Sequence, residues 1–162
     1  QFYDMSPLRQ IDAPMLEIGR FCAAPGVRDP DVLRLAWAAI SAIVVRENIG
    51  FLFGCSSFSG TDPTPHLNAF ALLQACHLGP SSYRPCVKSP QTVAFADLGQ
   101  PVGPHRDGMR SLPPLLRGYL RMGGWVGDHA VIDRDLGTLH VFTALDPVAI
   151  PEPRRRVLQA MM

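Results

Sequence analysis

The chain of 162 residues contains no apolar run of roughly 18 residues, which excludes a helix spanning a bilayer. It also lacks a dominant charge. Fifteen Lys and Arg stand against fourteen Asp and Glu, so no net field gathers nucleic acid, and no nucleic-acid partner is expected. The four cysteines (Cys22, Cys55, Cys76, Cys86) show no C-x-x-C spacing, and the five histidines form no H-x-E-x-x-H pattern. No metal site is expected. No G-x-S-x-G elbow surrounds a serine, and His105-Arg-Asp107 stands without the glycine-rich loop and D-F-G that a kinase needs. Internal repeats and low-complexity tracts are missing too.

What is there is a folded body. Apolar residues make up 47% and charged residues 18% of the chain, and its length suits one domain, residues 1–162. The sixteen prolines cluster between elements, and 78–104 reads as a Pro-rich loop or arm. Cys22 and Cys55 fall in apolar strands and are expected as reduced core thiols of a cytoplasmic protein. The opening Gln1-Phe2-Tyr3-Asp4 reads as the middle of something longer.

Residues 2–14 are expected to be irregular, broken by Ser6-Pro7 and Ala13-Pro14. Met15–Cys22 reads as a central strand. Asp29-Pro30 caps and opens a helix through Glu47, which Gly50 ends. Phe51–Phe58 is a second strand, so the unit is βαβ. Asp62-Pro63 opens another helix to about His77. Thr92–Ala96 reads as a strand and Leu112–Met122 as a short helix. Trp125–Ile132 and Thr138–Leu145 form a hairpin around the Asp133–Gly137 turn. Pro151–Met162 is expected to be a basic helix.

Four pieces carry a resemblance: Leu16-Glu-Ile-Gly-Arg-Phe-Cys22; Asp29-Pro-Asp-Val-Leu-Arg-Leu-Ala-Trp37; Gly50-Phe-Leu-Phe-Gly-Cys-Ser-Ser-Phe58 with Gly60-Thr-Asp-Pro63; and Leu112-Pro-Pro-Leu-Leu-Arg-Gly-Tyr-Leu120 through Asp146. In this order and spacing the sequence resembles the ornithine–acyl-carrier-protein N-acyltransferases, which begin ornithine-lipid synthesis in bacteria and are related to acyl-homoserine lactone synthases. The resemblance implies an α/β (α+β) fold: a GNAT-like mixed twisted sheet with a βαβ crossover and flanking helices. It also implies N-terminal incompleteness, because the family carries further elements before the strand at Met15. The activity implied is transfer of a (3-hydroxy)acyl group from acyl carrier protein to the α-amine of ornithine or a similar amino acid. No cofactor of the protein's own is implied; the acyl-phosphopantetheine of acyl carrier protein is the donor substrate. Partners are then acyl carrier protein, an amino-acid acceptor and, peripherally, an anionic membrane, with the protein in the cytoplasm beside the inner membrane. Two alternatives stay open: an acyl-homoserine lactone synthase, or a truncated copy that only binds an acyl chain or its carrier.

In a GNAT-like fold the strands flanking the crossover helix splay, and the backbone of the first can pair with the amides of a pantetheine arm. The resemblance places that arm against Phe21, Cys22, Ala23, Arg28 and Ser57. The bend Ala23-Ala-Pro-Gly-Val-Arg28 has a single glycine, which suits one phosphate better than the three of coenzyme A. The catalytic candidates are Glu17, Arg20 and Ser56. Glu17 can take a proton from the attacking amine or hold its ammonium, and Arg20 can grip a carboxylate. Charges in an apolar strand are costly unless paired or used, so a structural ion pair stays open. Ser56 and Ser57 can meet the thioester or merely cap a turn. Cys55 alternates with apolar neighbours and reads as core. Gly123, Gly124 and Trp125 with Leu115, Leu116, Tyr119 and Phe142 fit an acyl tunnel or a plain core. Arg154-Arg-Arg156 with Arg117 and Arg121 fit an acidic carrier helix, anionic headgroups or a solvated face.

Overall fold

Asp29 and Pro30 start the longest helix: the Asp29 carboxylate accepts from the Asp31 amide at 2.9 Å, and Pro30 takes the first helical position. The computed structural model describes residues 2–22, 24, 26, 29–99 and 105–160. In chain order these form β1 (Tyr3–Asp4), β2 (Met15–Ile18), α1 (Pro30–Arg46), β3 (Phe51–Ser59), α2 (Leu67–Cys76), β4 (Cys86–Val87) and β5 (Thr92–Ala94). They continue with α3 (His105–Ser111), α4 (Pro114–Arg121), β6 (Trp125–Asp133), β7 (Thr138–Leu145) and α5 (Glu152–Gln159).

The main sheet has five strands in the order β2-β3-β7-β6-β5. β2 runs parallel to β3, as a helical crossover requires, and the other neighbours are antiparallel. The expected α/β fold with a mixed sheet and a βαβ unit is therefore present. The β6–β7 hairpin closes on Asp133, whose Oδ1 accepts from the Asp135 and Leu136 amides at 3.0 Å. Gly137 then takes the left-handed conformation, φ 64°. β1 pairs separately with β4.

The two faces of the sheet are covered unequally. Leu139, Val141 and Leu145 of β7 face the helices, where α1, α2, α4 and α5 all pack. Phe70 of α2 is fully buried there between the rings of Phe58 and Phe95; burying one such side chain stabilises by about 1.5–3 kcal/mol. Phe142 and Ala144 face the other way, where Tyr3, Leu8 and neighbouring N-terminal residues pack instead of a helix.

Several expectations are corrected. The first strand stops at Ile18, because Arg20 takes a left-handed backbone, φ 52°; Arg20, Phe21 and Cys22 lie beyond it. Within the described residues it is an edge strand, not a central one. Glu17 and Arg20 are accordingly exposed, and the argument from costly buried charge does not apply to them. All four cysteines are exposed, so Cys22 and Cys55 are not core thiols. The residues read as one tunnel wall divide between the faces, Leu115, Leu116 and Tyr119 on the helical side and Trp125 and Phe142 on the other. The start of the chain is ordered into β1 and a 3-10 turn at Ser6–Gln10, and α3 was not anticipated. Segment 78–104 holds β4, β5 and a 3-10 turn at Phe95–Asp97 in its described part.

Candidate active site

β2 and β3 pair over four residues, Met15 to Ile18 against Phe51 to Gly54. β2 then ends, while β3 continues to Ser59 with β7 along its other edge. Beyond Gly54 the flank of β3 that β2 had occupied therefore has no strand partner among the described residues. Gly54 marks the fork: a Cβ there would run into the carbonyl oxygen of Ile18.

Strand alternation decides what looks into the space beside this fork. Leu52, Ser56 and Phe58 point to the helices and are buried. Phe53 and Cys55 of β3, with Met15 and Glu17 of β2, line a cleft of about 620 Å³ on the opposite face. Phe142 gives it an apolar wall, and the N-terminal residues Phe2 to Leu8 form the facing side. That side is pinned by Tyr3, whose hydroxyl donates to the His140 carbonyl at 2.8 Å and accepts from the Phe142 amide at 3.1 Å.

The charges of the cleft are mixed. Glu17 and Asp4 supply carboxylates, Arg9 and Lys88 supply cations. The Asp4 carboxyl is held below the usual range because it accepts from the Ser6 amide. Cys55 is exposed to the cleft, but protein fills most of the space around its thiol, and this desolvation, reinforced by the Glu17 charge, pushes its pKa up to about 12. At neutral pH it is a thiol and a poor nucleophile. The cleft can therefore hold a zwitterion and accept a proton at Glu17. Among the described residues that line it, the thiol of Cys55 is not an activated nucleophile.

Among the described residues, Glu17 is the one catalytic or arm-binding candidate that lines this cleft, beside Cys55 and Phe142. Arg20, Phe21 and Cys22 are exposed where β2 has ended. Ser57 is exposed on the cleft face of β3, opposite His140 in register. Ser56 points away, 1% exposed, with its Oγ 3.1 Å from the Thr143 hydroxyl. Ala23 and Arg28 lie outside the described residues. Asp4, Arg9 and Lys88 were missed, since single charges in irregular or two-residue segments carry no periodicity to read.

No family model matches the chain, and no solved structure matches it. Curated relatives do. It is 33% identical over 153 residues to an L-ornithine N(alpha)-acyltransferase of Rhodobacter capsulatus, covering 94% of this chain and 58% of the relative. The Brucella abortus protein of that description is 31% identical, with 88% and 52% covered. The Rhizobium meliloti one is 32% identical, with 80% and 44% covered. The chain thus spans about half the length of these relatives.

Proposed function

The chain belongs to the family of the L-ornithine N(alpha)-acyltransferases, and we propose that it transfers a (3-hydroxy)acyl group from acyl carrier protein to the α-amine of ornithine. This is the first step of ornithine-lipid synthesis. The observation that carries the proposal is the fork at Ile18 and Gly54, with Glu17 beside it in a cleft of mixed charge. A thioester arm is a slender strand-like chain with amide groups, and an unpaired strand flank suits it. The amino acid then occupies the cleft, its carboxylate toward Arg9 and Lys88 and its ammonium toward Glu17.

An ammonium is not a nucleophile, so Glu17 takes its proton. The free amine attacks the thioester carbonyl directly, the tetrahedral intermediate collapses, and the carrier's thiol leaves with a proton. The weakly acidic Cys55 is in keeping with a path that has no acyl-enzyme. Arg20, exposed at the end of β2, is our candidate for the electrostatic partner of the donor, with Phe21, Cys22 and Ser57 along the arm. Cytoplasmic substrates and a lipid product place the reaction in the cytoplasm, beside the inner membrane.

The test is incubation of the chain with 3-hydroxyacyl carrier protein and a panel of amino acids, read by mass spectrometry. N-acylornithine is expected, with Glu17→Gln lowering its rate about 100-fold. A lactone product, or carrier binding with no acylated amino acid, overturns the proposal.

A further inference from the structure

We propose that the hollow between α3 and α4 is the surface on which an acidic helix of the donor's carrier protein docks; this rests on the transfer reaction proposed above. Arg106 and Arg110 of α3 and Arg117 and Arg121 of α4 line one depression of about 390 Å³ together with Met109. Four guanidinium groups around one hollow repel each other, and the nearest compensation is slight. Asp107 is the one acid within salt-bridge reach of them among the described residues, 3.9 Å from both Arg106 and Arg110. One carboxylate shared by two arginines, at a separation where a charge-assisted bond is already long, leaves a net charge of three and no acid for Arg117 or Arg121 among the described residues.

The arrangement is held in place from below. Arg117 donates to the Arg110 carbonyl at 2.8 Å, tying one helix to the other. Leu116, Tyr119 and Leu120, on the inner side of α4, are buried in the core, and Gly108 of α3 sits against Leu72 of α2. The helices that carry the four arginines are thus a fixed frame, so their spacing around the hollow is set before an anion arrives. The terminal arginine run is engaged differently. Arg155 donates to the Val148 and Ile150 carbonyls and Arg156 to Glu152, so the structure groups Arg117 and Arg121 with Arg106 and Arg110.

The shape and the surroundings select the kind of anion. A bilayer surface is bound by cations flanked with protruding apolar side chains, and none of the exposed large hydrophobics among the described residues is on α3 or α4. A single phosphate fills a small part of about 390 Å³. A row of carboxylates on a convex helix meets all four arginines at once.

The experiment titrates the 162-residue chain with fluorescently labelled holo acyl carrier protein at several salt concentrations. Reversing two charges that bond no backbone, in Arg110→Glu with Arg121→Glu, is expected to weaken binding at least about 30-fold and flatten its salt dependence. The charge-keeping Arg110→Lys with Arg121→Lys is expected to bind within a few-fold of the parent, which separates docking from folding. With acyl-carrier donor the reversed variant raises KM, while with a short acyl-pantetheine thioester it matches the parent. Carrier binding unchanged by reversal, or absent in the parent, overturns the docking surface. So does loss of binding to phosphatidylglycerol vesicles with carrier binding intact. A parent that binds carrier and loses it on reversal, yet makes no acylated ornithine, overturns the transfer reaction and leaves the docking surface standing.

Discussion

Gly54 lies so close beneath the carbonyl oxygen of Ile18 that no side chain fits between them. The oxygen belongs to the last residue of β2, and the contact sits where the two parallel strands part. A methyl group there must push β2 outward, because backbone on both sides leaves nothing flexible to give. Gly54→Ala is therefore expected to destabilise the chain by about 1–3 kcal/mol. The urea midpoint measures this. A midpoint unchanged from the parent would show that β2 yields freely and that the fork is not fixed by packing.

Cys55 and Glu17 share the cleft, and the charge of one acts on the proton of the other. Burial first, and then the Glu17 carboxylate, lifts the thiol from 9.0 to about 12. Alkylation needs the thiolate. At pH 8, iodoacetamide should label Cys55 in the folded chain at least about 100 times more slowly than in urea. Glu17→Gln removes the smaller of the two causes and should speed labelling in the folded chain a few-fold. Peptide mass spectrometry reads both rates, and equal rates folded and unfolded would be the contrary result.

Much of this was legible in sequence where local chemistry agrees with tertiary structure. Asp29-Pro30 announces α1, and the Asp133–Gly137 turn announces the hairpin, because each signal acts over a few residues. The end of the first strand was not legible. The apolar run from Met15 to Cys22, interrupted by two charges, continues past Ile18 in sequence, and nothing in it says that Arg20 turns left-handed. Nor does a short apolar run distinguish an edge strand from a central one, so Glu17 reads as a buried charge when it faces an open cleft. α3 was hidden by Gly108, a poor helix residue whose missing side chain lets the helix lie on Leu72. The cleft's far wall depends on Tyr3 reaching β7 across most of the chain, and no local pattern encodes that contact.

Tyr3 makes the same point in energy. Its hydroxyl satisfies the His140 carbonyl and the Phe142 amide, both in the sheet. Tyr3→Phe strands these groups and should cost about 1–3 kcal/mol. Burial, and next the Cys55 charge, raises the Tyr3 pKa well above 10.0. In the unfolded chain the proton leaves near the ordinary value while the folded chain keeps it, so stability falls as pH rises past about 10. Tyr3→Phe should lose less stability over that alkaline step than the parent. Urea midpoints at pH 9 and pH 11 give the comparison, and parallel declines in both proteins would place the alkaline loss elsewhere.

His140 acts on the acid side. It is 5% exposed, its Nδ1 is buried without a hydrogen-bond partner among the described residues, and its ring packs 4.9 Å from Phe2. Burial, opposed by the Asp133 charge, lowers its pKa below 6.5. As the pH falls below 6.5 the unfolded chain takes up a proton that the folded chain refuses, so the unfolded state binds more protons and stability declines. The stabilising contribution is thus present above 6.5 and lost toward lower pH. His140→Phe keeps a ring against Phe2 and Tyr3 but cannot be protonated. Its stability should fall less than the parent's between pH 7 and pH 5, measured as urea midpoints at each pH. An equal fall in both proteins would assign the acid sensitivity to other groups and leave His140 a packing residue alone.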